Sequence, residues 1–182
     1  MSIIELKNPL TYNYLELKMM VLGKNFGWFW DTQAYEDYVY DTNLYDNFPI
    51  YSHSFLNGPL CQYPFYSQEA DPNCKLFHDV VVEILKYNNI DFDIIYRMCA
   101  NCAHPTEKNL WGPVHTDHNF YHKNLIVYLN NFEGGGTWCE GETYNGKEDD
   151  IITFEGKHNF SSPSKDRRIV LVATYAKLDK NY

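Results

Sequence analysis

The sequence predicts an α+β chain that is mainly β, with helices in its first half and a compact antiparallel jelly roll or small barrel in its second. Three observations carry that expectation. Residues 74–89, CKLFHDVVVEILKYNN, place Leu76, Phe77, Val80, Val81, Ile84 and Leu85 at helical spacing. After residue 90 the apolar residues come instead as short β-rich runs separated by turn residues. The 182 residues suffice for one domain with a sizeable core and no disulfide framework.

Taken in order, Asn8-Pro9 opens a first helix with proline in its first turn, and Gly23 stops it. Residues 27–55 are rich in aromatic side chains without a sustained period, which predicts strands and long loops. Asp71-Pro72-Asn73 opens the second helix and Asn88-Asn89 closes it. The runs IDFDIIYRMCAN, VHTDH, NLIVYLN, GTWCEGETY, DIITF and RRIVLVATYA then supply the strands, with helices covering one face of the β core. Asn145-Gly146 predicts a hairpin turn, and Gly134-Gly135-Gly136 breaks the chain between two strands. One domain over 1–182 is expected, with a helical and aromatic part over 1–89 and a β core over 90–176.

A hydrophobic fraction of 45% and sixteen tyrosines suit a globular chain with many half-buried positions. The net charge of −9 argues against nucleic acid as a partner, because phosphate contacts need clustered Lys and Arg. MSIIELKNPL has neither a basic flank nor a long apolar core, and no run has the length of a membrane span, so an intracellular, cytoplasmic protein is expected. Five cysteines, scattered and odd in number, suit free thiols in a reducing compartment. Cys99 and Cys102 with His104 also read as half a zinc site or a redox pair, but no second C-x-x-C completes them.

The chemistry concentrates at His115-Thr116-Asp117. In a strand, residues two apart point to one side, so an imidazole and a carboxylate can aim at one point. His158, after the strand IITFEG, is the natural third ligand. Two histidines and a carboxylate make the facial triad that leaves open positions on non-haem Fe(II). The same H-x-D also occurs in loops that bind nothing. His118 falls on the opposite face from Asp117, and His122 reads as a surface or substrate-facing residue. Arg168 begins a strand that places it with Val170, Val172 and Thr174 on one face, where burial of a lone cation is costly unless it meets an anion. A structural Asp or Glu would serve, and so would the carboxylate of 2-oxoglutarate. Arg167 points the other way, toward solvent.

With these residues in hand, the chain resembles the Fe(II)- and 2-oxoglutarate-dependent dioxygenases, and within them the prolyl-4-hydroxylase-like branch. The match runs in order through His115-Thr116-Asp117, Tyr128-Leu129-Asn130, Gly135-Gly136-Thr137, His158 and Arg168, and covers residues 95 to 176. Phe26-Gly27-Trp28-Phe29-Trp30 and Arg97-Met98-Cys99-Ala100-Asn101 are also similar to the F-P-W-Y and R-x-K-A-N segments of a phage-encoded subgroup. The resemblance implies a double-stranded β-helix (jelly roll) with N-terminal helices packed on one sheet. It implies iron on His115, Asp117 and His158, with 2-oxoglutarate held by Arg168 and the Tyr128 hydroxyl, and O2 as the oxidant. The implied reaction is hydroxylation of a C–H bond with release of succinate and CO2, with a prolyl residue of a peptide or protein as the implied substrate.

Three departures stand out. Val170 occupies a position where family members often carry a small polar residue, the turn reads G-G-G-T-W, and the interval from H-x-D to His158 is short. The long approach NCAHPTEKNLWGPV is expected to carry substrate specificity. Trp111, Trp138, Tyr121 and His122 are candidates for the substrate wall, and Arg97 and Asn101 for the cavity lining. A cupin-like metal enzyme and a jelly-roll binding protein remain alternatives, and neither needs Arg168 on the inner face.

Overall fold

A computed structural model describes residues 3–30, 50–56, 71–108 and 110–178. The order of elements is β1 (Ile4–Leu6), α1 (Tyr12–Leu22), β2 (Phe29–Trp30), β3 (Ile50–Leu56), α2 (Cys74–Tyr87), β4 (Ile94–Ala103) and β5 (Lys123–Tyr128). Then follow β6 (Glu133–Gly134), β7 (Thr137–Cys139), β8 (Glu142–Tyr144), β9 (Ile151–Phe154), β10 (His158–Phe160), β11 (Pro163–Lys165) and β12 (Arg168–Ala176). The chain is mainly β with two helices, and every recorded strand pair is antiparallel. No helix among the described residues is long and apolar enough to cross a membrane.

Seven strands form one sheet in the order β1-β9-β5-β12-β4-β3-β2, and β10-β7-β8 and β11-β6 form two small sheets. β1 and β3 come from the first half of the chain, so the large sheet is built from both of the parts drawn at residue 90. β12 lies between β4 and β5, and all nine of its residues are buried. That burial explains why RIVLVATYA shows little alternation of polarity. Its alternate residues Ile169, Leu171, Ala173 and Tyr175 join a core with Leu17 and Val21 of α1 and Phe77, Val80, Val81, Ile84 and Leu85 of α2. Val170 and Val172 face the other way, into a second core with Ile126, Tyr128, Ile152 and Phe154. Each large apolar side chain so buried stabilises the fold by roughly 1.5–3 kcal/mol. The helices therefore cover one face of the sheet and leave the other to line a cavity.

Two local expectations are corrected. The first helix begins at Tyr12, not at Asn8-Pro9, because the Thr11 hydroxyl accepts from the Tyr14 N–H at 3.2 Å and caps the helix there. Asn8 instead turns the chain ahead of it, its Oδ1 accepting from the Leu10 N–H at 3.0 Å. Gly23 does end the helix, and α2 spans the predicted interval. Of residues 27–55, 29–30 and 50–56 are strands, and 31–49 lie outside the described residues.

The predicted hairpin at Asn145-Gly146 is the second correction. The hairpin lies at Glu140-Gly141, with φ of 46° and 98°, joining β7 to β8, as the positive φ values of a tight two-residue turn require. β8 and β9, which flank Asn145-Gly146, belong to different sheets, so that segment carries the chain from one to the other. Gly146 is glycine for a steric reason: a Cβ there would run into the ring of Tyr128. Gly146→Ala is expected to destabilise the protein by roughly 1–3 kcal/mol through overpacking. Urea unfolding followed by fluorescence measures it, and an unchanged midpoint would show that the Tyr128 ring is free to move aside.

Candidate metal centre and its cavity

Two segments distant in the chain meet at His115 and His158. The His115 N–H donates to the His158 carbonyl and the His158 N–H to the His115 carbonyl, each at 2.9 Å, as an antiparallel bridge. The bridge sets the two imidazoles side by side, with ring centroids 4.5 Å apart. VHTDH is thus not a strand: His115 makes this single bridge, and the chain then bends at Asp117. The bend brings Asp117 against β4, where Arg97 Nη1 donates to its Oδ1 at 2.7 Å. One ligand atom from each of His115, Asp117 and His158 lies within 4.8 Å of the others.

Hydrogen bonds fix the state in which this group meets a cation. His115 Nδ1 lies 3.0 Å from the Pro113 carbonyl and His158 Nδ1 lies 3.2 Å from the Gly156 carbonyl. A carbonyl only accepts, so each Nδ1 carries its proton, and in the neutral ring Nε2 keeps the lone pair. Burial pushes His158 down to about 4, so its ring is uncharged at neutral pH. Burial pushes the Asp117 carboxyl up, but the Arg97 guanidinium and the imidazoles of His158 and His115 outweigh it and hold the group at about 2. Asp117 Oδ2 is buried with no hydrogen-bond partner and faces His158 Nε2 at 3.5 Å. Two lone-pair atoms facing each other in a buried site fit a cation between them. The donor set of two imidazoles and a carboxylate suits Fe(II).

The cavity these residues open into runs along the inner face of the large sheet to Arg168. Arg168 is 2% exposed. Its Nε donates to the Gly135 carbonyl at 3.0 Å and its Nη2 to Thr137 Oγ1 at 2.8 Å. The guanidinium carbon stands 4.7 Å from the centre of the Phe160 ring and 5.4 Å from that of Tyr128. The Tyr128 hydroxyl lies 2.8 Å from Thr137 Oγ1, and burial pushes its pKa up, so it stays protonated. Val170 lines the cavity, and Thr137 supplies a hydroxyl to Arg168 from the facing strand. A guanidinium so oriented matches a carboxylate.

Several other expectations resolve here. Arg97 and Asn101 line the cavity, and Arg97 has the added contact to Asp117 that strand parity alone did not reveal. His118 stays out of the triad and bonds Thr174 Oγ1 through Nε2 at 2.8 Å. Cys99 and Cys102 lie on opposite faces of β4, one in each core, which rules out a shared metal or bond between them. Trp111, Trp138, Tyr121 and His122 do not line this cavity. Tyr121 and His122 border a separate groove with Thr116 and Glu155. His122 is 5% exposed and so is not a surface residue, since its Nδ1–H turns inward to the Phe120 carbonyl at 2.8 Å. Thr137 and Phe160, both in contact with Arg168, were not singled out from sequence, although Thr137 stands in the G-G-x-T turn.

No protein-family model and no curated protein matches the sequence. Solved structures do match its fold. A prolyl hydroxylase from Trichoplax adhaerens, in complex with a hypoxia inducible factor oxygen degradation domain peptide, has a TM-score of 0.58 at 12% identity, over 96% of this chain and 83% of that one. The viral collagen prolyl hydroxylase of Paramecium Bursaria Chlorella virus-1, as its 2OG complex, has 0.54 at 12% identity, over 97% and 96%. SnoN, a non-heme alpha ketoglutarate dependent epimerase from nogalamycin biosynthesis, has 0.58 at 10% identity, over 96% and 76%. At these identities the likeness is one of fold, and the chain has the fold of these proteins.

The Thr137 hydroxyl is shared by Arg168 and Tyr128 in a buried site. Thr137→Val keeps the shape and removes that oxygen, so unfolding free energy is expected to fall by roughly 1–3 kcal/mol. Thr137→Ser should recover most of the loss in the same urea titration.

Proposed function

We propose that the chain is an Fe(II)- and 2-oxoglutarate-dependent dioxygenase that hydroxylates a C–H bond of its substrate. The observation that carries this reading is one cavity with a partly buried His-Asp-His group toward one end and a buried arginine at the other. His115, Asp117 and His158 would hold the metal, and Arg168 would hold the far carboxylate of the co-substrate. A metal centre alone would not need Arg168 on the inner face, which favours this reading over a cupin-like enzyme. The two-layered β core with a helix-covered sheet supports a double-stranded β-helix, and the similar structures include proteins that use the same co-substrate.

With Fe(II), 2-oxoglutarate and O2 bound, the site would couple oxidative decarboxylation, yielding succinate and CO2, to conversion of a substrate C–H into C–OH. The protein's part is orientation. Pro113 and Gly156 fix the two imidazoles through their Nδ1–H groups, and Arg97 fixes the carboxylate through Oδ1, so that Oδ2 and both Nε2 atoms converge. Arg168, braced by Gly135 and Thr137, would set the reach and direction of a dicarboxylate in the cavity that Val170 and Val172 line. The apolar walls, including Ile126 and Phe154, exclude water from the reacting centre.

For the substrate, we favour a prolyl residue in a peptide or protein. Two of the similar structures are prolyl hydroxylases, one of them with a peptide bound. The reading is tested by adding Fe(II) and 2-oxoglutarate to the purified protein without oxygen and recording the visible charge-transfer absorption. A band is expected in the wild type and a much weaker one in Arg168→Ala, and a wild type that binds iron without a band would refute the co-substrate. Asp117→Ala and His158→Ala should each abolish succinate release, and full turnover in either would remove that residue from the metal. Proline-containing peptides should raise succinate release above the uncoupled rate, whereas an equal response to alanine-substituted peptides would refute prolyl specificity.

A further inference from the structure

Beneath the His-Asp-His group, four side chains face one another across the large sheet: Phe154 of β9, Asn124 of β5, Thr174 of β12 and Arg97 of β4. Three of them are engaged with the segments that carry the triad. The Phe154 ring is 5.1 Å from that of His158, the Thr174 hydroxyl bonds His118, and Arg97 bonds Asp117. Asn124, in the middle of the row, is different. It is 0% exposed, it lines the cavity, and neither its Nδ2 nor its Oδ1 has a hydrogen-bond partner. A wholly unsatisfied primary amide destabilises the ligand-free protein, and a group kept at that cost points to a ligand.

The chemistry of the unsatisfied atoms says which ligand. Among the described residues, the buried side-chain atoms without partners are Asp117 Oδ2, His122 Nε2, Asn159 Oδ1 and the two of Asn124. Asp117 Oδ2 and Asn159 Oδ1 are acceptors, and so is His122 Nε2, since His122 Nδ1 gives its proton to the Phe120 carbonyl. Asn159 Nδ2 donates to the Gly112 carbonyl at 2.8 Å. Among the described residues, Asn124 Nδ2 is thus the one buried side-chain donor atom with no acceptor at all, and it stands at the metal end of a cavity whose other end is Arg168. A dicarboxylate stretched between these ends presents an acceptor-only carboxylate to each.

Resting on the proposed co-substrate, we infer that Asn124 is a positioning residue whose Nδ2–H donates to the carboxylate by which 2-oxoglutarate chelates the metal. Arg168 holds the far carboxylate and Asn124 orients the near one, while Asn124 Oδ1 is left for a water, since a carboxylate has no proton to give. With metal and co-substrate bound, the amide would orient the near carboxylate as Arg168 orients the far one.

The test is Asn124→Leu, which preserves size and removes both polar atoms. Thermal melts of the ligand-free protein, Mn(II) binding by calorimetry, and anaerobic titration of 2-oxoglutarate into the Fe(II) protein are read together. The expected result is a melting temperature equal to or above wild type, Mn(II) affinity within about twofold, a 2-oxoglutarate Kd raised roughly tenfold or more, and a shifted charge-transfer maximum. Asn124→Asp, which replaces the donor by a carboxylate, should weaken co-substrate binding further. A Leu variant that binds 2-oxoglutarate as wild type does, or whose melting temperature falls sharply because a structural water was lost, overturns the inference. Those outcomes leave the wild-type band intact. A wild type with no band overturns the co-substrate reading and this inference with it.

Discussion

The site depends on one backbone interaction, the reciprocal pair of hydrogen bonds between His115 and His158. Neither segment is long enough to hold an imidazole in place alone: β10 is three residues long and His115 belongs to no strand. Joined to each other, they are fixed by what each already touches. β10 is paired to β7, and the loop after His115 is tied to the large sheet through Asp117 on Arg97 and His118 on Thr174. The bridge closes this ring of contacts, and convergence of the three candidate ligands follows from it. A metal would add to an arrangement that the backbone has already made.

The large sheet has to serve two incompatible surroundings, and β12 shows how. Its residues alternate between a dry face under the helices and a face that carries Arg168, Val170, Val172 and Thr174 toward the cavity. Burial on both sides makes the strand rigid, and a buried cation at its first position is tolerable only where several groups share in solvating it. Gly135, Thr137 and the rings of Tyr128 and Phe160 do so. The short sheet of β7, β8 and β10 is therefore more than a cover, because it brings Thr137 and Phe160 to Arg168.

Much of this was legible in the sequence because it rests on parity and period. The helical spacing of residues 76–85 and the two-residue alternation that sends Arg168, Val170, Val172 and Thr174 to one face are local properties, and the structure follows them. What was not legible depends on partners far away in the chain. Asn145-Gly146 has the composition of a hairpin, but Gly146 is there because Tyr128 presses against it, and the turn falls at Glu140-Gly141. Asn8-Pro9 has the composition of a helix start, but the Thr11 cap sets the start at Tyr12. His122 has a polar side chain beside an exposed Tyr121, and only the turn of its Nδ1–H to Phe120 shows that it is buried. The Arg97–Asp117 pair joins positions 20 residues apart in the sequence, and no spacing rule anticipates it.

That pair has a consequence for how the proposed site would fill. Arg97 sets its charge against Asp117, so the carboxylate that would meet the metal is already partly compensated. A divalent ion would then enter a cavity with the uncharged His158 imidazole, a shared carboxylate and a second guanidinium at its far end. In a medium of low dielectric such a concentration of positive charge is unfavourable unless an anion comes with it. On the proposed reading, the dianionic co-substrate is that anion, placing one carboxylate by the metal and the other by Arg168. Metal and co-substrate would each bind more tightly in the presence of the other, since each supplies the charge the other lacks. The arginine on Asp117 thus favours a site in which the two ligands assemble together over one that holds the metal alone.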